Sequence, residues 1–298
     1  MDVIKLNYHL NEGYWKIINS LRTFEWRMIG KKKDIRKYKI LNRNVQFKNI
    51  HKNNRVFIVA NGPSIKNENL DLIKGEYVFT VNQMIRKKEF VDLNPICNFW
   101  FDPAYFDENM PEDSKKEFES LFSRTCNCND HIVSILPYSA YDFIEKRSLN
   151  NDKVYYIDGS LYFYDGYDLD FDFTKLTPGF QNIVQYAIAT AVYMGFNEIY
   201  ILGCDSTGIE TKINSVMEKS IEDNYSLDLG TEGQKYVNSL LNYFSVEEQF
   251  KGWTRIFHLY DQLLMYCKKR NVKLVNCTSQ TIIEGIPRKS LESVLKNE

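Results

Sequence analysis

Four short polar segments each follow a run of β-branched and aromatic residues. Asn61-Gly62-Pro63-Ser64 follows Val56–Ala60, Asn82-Gln83 follows Tyr77–Val81, Asp102-Pro103 closes Pro95–Phe101, and Gly203-Cys204-Asp205-Ser206 follows Glu198–Leu202. An apolar run that stops at turn residues reads as a buried strand ending in a turn. In open α/β sheets, ligands bind just beyond the carboxyl ends of the strands. Parallel strands would gather Asn61, Asn82, Asp102 and Asp205 on one sheet edge. At the first segment Gly62 has no Cβ, so backbone or ligand can come close. Pro63 suits a first helical turn, and Asn61 and Ser64 add short polar side chains. Such a turn is shaped for something polar, with a phosphate or nucleotide the first expectation. The alternatives are an ordinary strand-to-helix turn and, for Asp205, a helix N-cap.

Proton transfer needs a group that titrates near neutrality, and the chain has four histidines. His9 and His51 lie in or beside a basic leader, and His131 opens a strand. His258 stands in a helix just before the last strand, where it could take the proton of an acceptor hydroxyl. The alternative is a structural hydrogen bond from a helix face. Cys126-Asn127-Cys128 with His131 lacks the second ligand pair of a zinc site. There is no Asp-x-Asp at a strand end, since the one in Asp168–Asp172 sits in an aromatic loop. No metal site is therefore expected.

The elements that must position these residues follow from periodicity. Strands are expected at Arg55–Ala60, Tyr77–Val81, Pro95–Phe101, His131–Leu136, Val154–Ile157, Glu198–Leu202 and Lys273–Asn276. They alternate with helices at Glu112–Ser123, Gln181–Met194 and Trp253–Lys269. Thr177-Pro178-Gly179 is expected to open the middle helix and Gly195 to cap it. This alternation predicts an α/β fold, a Rossmann-like, mostly parallel sheet flanked by helices. Asp158–Thr174 is aromatic and acidic without clear period. It reads as a lid, an oligomer contact, an irregular wall of the site, or a surface loop with its aromatics tucked inward. Residues 206–250 lack a core pattern and read as a lid or acceptor insertion.

Composition sets the class. With 298 residues, 44% of them hydrophobic, and 20 Tyr and 19 Phe, the chain can bury a large core. A net charge of −1 argues against a nucleic-acid partner. The charge is uneven, however. Residues 1–50 carry twelve Lys or Arg against four acids, a net +8, interleaved with Trp15, Ile18, Leu21, Phe24, Trp26 and Met28. That leader reads either as a helix packed on the catalytic domain or as a segment lying on an anionic membrane. The expected division is a basic helical extension over 1–50 and a catalytic domain over 51–298. No run reaches ~18 apolar residues, and the start has no apolar signal core. Cys97, Cys204, Cys267 and Cys277 sit in apolar surroundings as buried thiols. A cytoplasmic protein is expected, with peripheral contact at the inner face of the cell membrane and room for a homo-oligomer.

The segments Val59-Ala60-Asn61-Gly62-Pro63-Ser64, Val81-Asn82-Gln83 and Phe101-Asp102-Pro103-Ala104-Tyr105-Phe106 together resemble the bacterial sialyltransferases that use CMP-sialic acid. Those enzymes carry Gly-Asn-Gly-Pro-Ser, Cys-Asn-Gln and an Asn-Pro segment at similar intervals. Lys175-Leu176-Thr177-Pro178-Gly179 resembles their Arg-Ile-Thr-Ser-Gly, and Gly195–Asp205 resembles their Gly-Tyr-Lys-Glu-Ile-Tyr-Leu-Ser-Gly-Ile-Asp. The stretch Asn271–Thr278 looks more like a wider related group. That group includes motility accessory glycosyltransferases and a pterin pyrophosphokinase-like branch.

The resemblance covers roughly residues 55–288 with gaps. It implies a GT-A-like sialyltransferase variant with a lid and no strict cofactor, although a divalent metal could stimulate it. It also implies a donor pocket lined by Asn61, Gly62, Ser64, Asn82 and Asp102 and completed by Thr177, Gly179 and Asp205. Pro63, Gln83, Pro178 and Ser206 border those positions, and His258 becomes the general base. The family's two tyrosines after the Gly-Asp strand have no match here, where Ser206 and Thr207 stand. Tyr225, Tyr236, Arg255 and Tyr260 are the open alternatives for stabilising the leaving group. The resulting expectation is an inverting glycosyltransferase. It would move a nonulosonic-type sugar from a CMP-activated donor to a surface glycan or lipid-linked saccharide. A Mg-dependent nucleotide diphosphokinase, with Asp102 and Asp205 as a metal-binding pair, and a non-catalytic glycan-assembly partner are the alternatives.

Overall fold

Runs of β-branched and aromatic residues place eight strands in the chain. These are β1 (Arg55–Val59), β2 (Tyr77–Val81), β3 (Cys97–Phe99), β4 (Val133–Pro137), β5 (Val154–Tyr162), β6 (Leu176–Gly179), β7 (Glu198–Leu202) and β8 (Lys273–Asn276). The computed structural model describes residues 3–109, 111–217 and 245–296. The strands form one sheet in the order β6-β5-β4-β3-β2-β1-β7-β8. Every pairing is parallel, so the expected mostly parallel sheet is wholly parallel.

Both faces of this sheet are covered, which is why its strands read as continuous apolar runs. Successive side chains point to opposite faces. Val56 and Ile58 of β1 therefore join Phe79, Phe99, Ile199 and Ile201 beneath the helices Ile183–Met194 and Val246–Lys269. Phe57 and Val59 face the other way, with Val78, Trp100, Tyr200 and Leu202, toward Phe118 and Phe122 of the helix Glu112–Asn127. The result is a three-layer α/β/α fold.

Two elements depart from the sequence reading: β5 runs on to Tyr162, beyond its expected end at Ile157, and the Thr-Pro-Gly segment is a strand. Thr177-Pro178-Gly179 does not open a helix; it forms β6, paired with the far end of β5. Proline lacks an N–H and is tolerated on an edge strand, which β6 is. Gly179 allows the crossing, because a Cβ there would lie 2.3 Å from the Gly159 carbonyl oxygen. The helix starts instead at Ile183 behind a capping box, in which Asn182 Oδ1 accepts from Val184 N at 2.8 Å and Gln185 Oε1 accepts from Asn182 N at 3.1 Å. It ends, as expected, at Gly195 in the left-handed region.

Of the 158–174 segment, residues 158–162 continue β5 and the remainder is a loop with its aromatics turned inward. Phe163, Tyr164, Tyr167, Phe171 and Phe173 are all buried, and Phe171 stacks on Tyr266 at 4.2 Å. The basic leader packs along β5. In the helix Val3–Glu25, Trp15 stacks on Tyr162 at 4.0 Å. Asn19 exchanges two hydrogen bonds with the Tyr162 backbone, at 2.8 and 2.9 Å. Lys37 forms a largely buried ion pair with Asp158, and buried Asn44 donates to the carbonyls of Tyr156 and Phe173, each at 2.8 Å. Of the expected lid, 206–217 begins the helix Gly208–Val216. Residues 218–244, with Tyr225 and Tyr236, lie outside the described residues. No described helix is long and apolar enough to cross a membrane.

Candidate functional site

From β1 the chain moves outward through β2 to β6. It then crosses back by the helix Ile183–Met194 to β7, on the other side of β1. The carboxyl ends of β1 and β7 are thus the sheet's topological switch point, where ligands bind in such folds. A cavity of about 230 Å³ opens there, and its lining includes Asn61, Asn82, Asn182, Cys204, Asp205 and Trp253. Gly62, Pro63, Ser206 and Thr207 complete its rim.

The two strand ends are stitched together beyond the sheet. Ala60 N donates to the Leu202 carbonyl at 2.9 Å, and Gly62 N donates to the Gly203 carbonyl at 2.7 Å. Asp205 then reaches across. Its two carboxylate oxygens accept from Ser64 N at 2.8 Å and Ser64 Oγ at 2.5 Å. Burial raises the Asp205 carboxyl above its ordinary range, and the Ser64 hydrogen bonds oppose that shift. Gly62 is required for this contact. A Cβ there would stand 2.2 Å from Asp205 Oδ1 and 2.4 Å from the Gly203 oxygen. The close approach expected at Gly62 is therefore to Asp205 and Gly203.

The amides above this stitch are only partly satisfied. Asn61 Nδ2 donates to the Val81 carbonyl at 3.0 Å, while its Oδ1 is buried with no protein partner. Asn82 adopts φ +47°, a left-handed conformation that asparagine tolerates. Its Oδ1 and the Gln83 Oε1 are likewise buried without a partner. Buried polar groups are ordinarily hydrogen-bonded, so these oxygens call for an explanation.

The helices Ile183–Met194 and Gly208–Val216 both begin in the cavity wall. Helix N-termini carry partial positive charge and free N–H groups. The described lining contains no Lys or Arg. Positive potential here therefore comes from backbone. Beneath the wall, burial pushes the Cys204 thiol up to about 11, and Tyr260 Oη lies 3.2 Å from its sulfur and 3.3 Å from Asn182 Oδ1. Sequence reading missed Asn182, Trp253 and the Cys204–Tyr260 contact. Asn182 had a legible signal in its capping spacing to Gln185. Trp253 reaches the cavity because Gln185 Nε2 ties its helix down through the Ile256 carbonyl at 2.8 Å.

Other expected residues lie elsewhere. Ser64 is buried under the stitch. Thr177, Pro178 and Gly179 sit in β6 and do not line the cavity; the Thr177 hydroxyl is buried without a partner. Asp102 lies three residues past β3 and caps the next turn, accepting from Ala104 N at 3.0 Å. Burial raises its carboxyl. β3 lies three strand steps from β7, roughly 14 Å. Asp102 and Asp205 thus cannot share one cation, and no three His, Cys, Asp or Glu among the described residues gather as a metal site.

His258 is five residues beyond Trp253 on the same helix, about 140° around it. It faces a different cavity, of about 190 Å³, with Trp15, Tyr162, Tyr164, Asp165 and Arg255. There its Nε2 meets Asp165 Oδ1 at 2.7 Å, a contact that orients the ring. Arg255 lies 4.4 Å over the Tyr162 ring and donates to the Phe163 carbonyl at 2.8 Å.

No curated protein matches the chain significantly. The family pattern described as 6-hydroxymethylpterin diphosphokinase MptE-like matches residues 27–210, well over half the chain. The match spans β1 to β7 with both sides of the stitch and stops before Trp253 and His258. The chain carrying this switch-point cavity belongs to the 6-hydroxymethylpterin diphosphokinase MptE-like family.

Proposed function

We propose that the protein is a nucleotide-dependent transferase of the sialyltransferase-like kind. It would hold a CMP-activated acidic sugar at the β1/β7 crevice and pass the sugar, with inversion, to a glycan or lipid-linked acceptor. The observation that carries this reading is the makeup of the cavity: two helix N-termini and unpartnered amide oxygens on Asn61 and Asn82, with no Lys or Arg in the described lining. Each helix end is worth roughly half a positive charge, so the pair matches one departing phosphate better than a triphosphate chain. As the bond to the sugar breaks, charge accumulates on that phosphate, and fixed N–H dipoles stabilise it without reorganising. The amide oxygens of Asn61 and Asn82 would accept from the base or ribose. Asp205 holds the turn in shape through Ser64.

His258, oriented by Asp165, is the proposed base for the acceptor hydroxyl. That role requires the donor's sugar to extend past the Val246–Lys269 helix toward this second cavity, so that the acceptor hydroxyl comes within hydrogen-bond reach of His258. His258→Ala should abolish transfer while nucleotide binding persists; retained transfer would assign the pair to structure.

The family description favours a second reading, an ATP-dependent diphosphokinase. A divalent ion for that chemistry would need clustered carboxylates. The described residues do not fit this requirement, since Asp102 caps its own turn, Asp205 is held by Ser64, and the two stand about three strands apart.

A thermal-shift panel of CMP, CDP, UDP, GDP and ATP, each with and without Mg²⁺, separates the readings. A ligand at 100 times its Kd stabilises by ~2.7 kcal/mol. A shift with CMP alone, independent of metal, supports glycosyl transfer. A shift only with ATP and Mg²⁺ moves the assignment to the diphosphokinase, and no shift with any nucleotide overturns both.

A further inference from the structure

The leader helix is built back to front for a surface helix. Its inward face docks on β5 through Trp15 and Asn19. Its outward face should then be polar. Instead Tyr14, Ile17, Leu21, Phe24 and Met28 recur at steps of three and four, and each is more than half exposed, Phe24 at 63%. Ile29 and Ile35, in the turns that follow, are exposed as well. The exposed charges around this face are mainly basic, with Arg22, Arg27, Lys32, Lys33, Arg36 and Lys39 set against Glu25. Residues 14–39 hold nine Lys or Arg against two acids.

We infer that this face is a docking surface for an anionic phospholipid bilayer, with the apolar stripe inserted at the headgroup boundary and the cations on the lipid phosphates. The spacing alone would also suit a helix seam between two copies of the chain. Charge decides between them. Pairing two copies would bring two strongly basic segments within a Debye length, whereas an anionic surface neutralises them. The Trp15–Tyr162 stack and the Asn19 hydrogen bonds hold the helix against the domain, so the stripe is presented as a fixed face. This inference rests on the leader alone and stands or falls independently of the nucleotide cavity.

The test is co-sedimentation of the full chain with sucrose-loaded phosphatidylcholine vesicles, with and without phosphatidylglycerol, at low and high salt. The expected result is pelleting with the anionic vesicles only, weakened by salt. Lys32→Ser, Lys33→Ser and Lys39→Ser together should weaken partitioning about a hundredfold. Leu21→Asp with Phe24→Asp should abolish it while leaving the circular-dichroism melt in place, because both side chains are exposed. Equal binding to neutral vesicles, or none to anionic ones, overturns the inference. So does a dimer in sedimentation velocity that Leu21→Asp with Phe24→Asp dissolves in a chain that binds no vesicle.

Discussion

Replacing Gly62 with alanine tests the stitch between β1 and β7. Gly62 has φ −63° and ψ 154°, which alanine adopts without strain, so any cost is purely steric. The new methyl would stand 2.2 Å from Asp205 Oδ1, 2.4 Å from the Gly203 oxygen and 2.7 Å from Asp205 Cγ. Neither neighbour can retreat cheaply. The Gly203 carbonyl accepts from Gly62 N at 2.7 Å, and the carboxylate is held by both Ser64 donors. Overpacking costs about 1–3 kcal/mol, and losing a hydrogen bond to a charged group costs about 1.5–3 kcal/mol. Gly62→Ala should therefore destabilise by about 4 kcal/mol. At roughly 2 °C per kcal/mol for a chain of this size, the melting temperature should fall by about 8 °C. The assay is circular-dichroism melting with urea denaturation alongside. Adding Asp205→Ala removes one clashing partner, so the double variant should be less unstable than the two single losses summed. Melting of Gly62→Ala within about 2 °C of the parent would refute the steric reasoning.

Four further outcomes follow. Gly252→Ala sits inside a helix with nothing within 4 Å of the added methyl, so it should raise stability by about 0.5–1 kcal/mol in the same melts. Asn61→Ala should weaken the stabilising nucleotide about tenfold by calorimetry, while the loss of its bond to the Val81 carbonyl costs only about 1 kcal/mol of stability. His258→Ala should leave the nucleotide thermal shift unchanged, because the side chain faces the other cavity. Burial raises all six thiols, Cys204 to about 11 and Cys267 and Cys277 to about 12, which holds them below their thiolate range at mildly alkaline pH. Dithionitrobenzoate should accordingly titrate only half-buried Cys128 quickly in the native protein and all six cysteines in denaturant, with native reactivity climbing as pH rises.

Most of the sheet is legible in the sequence because parallel strands covered on both faces are written as unbroken apolar runs. Val56–Val59 and Ile199–Leu202 are such runs, and both are buried throughout. β6 is not legible. It has four residues, one of them proline, and Thr-Pro-Gly carries turn chemistry that outweighs strand propensity. The polar strand ends at Asn61, Asn82 and Asp205 converge as a parallel sheet requires, whereas Asp102, three strands from β7, does not line the cavity. What occupies the space at Gly62 depends on a residue 141 positions along the chain, which no local pattern reports. His258 shows a different limit. Its order in the chain marks it as a candidate base, but the helical phase that carries it into a second cavity, beside Asp165 from a loop 93 residues earlier, is written in no local pattern.

That separation of 141 residues between Ser64 and Asp205 also bears on how the protein matures. One wall of the cavity is laid down with the first strand, and the other arrives only after five further strands have been added outward and the chain has crossed back over them. Closing so long a loop is entropically costly and slow compared with local pairing. A partly folded or truncated chain can thus own a sheet without owning a site. A ligand that needs both walls discriminates finished molecules from unfinished ones, and its affinity gauges completed folding in any preparation.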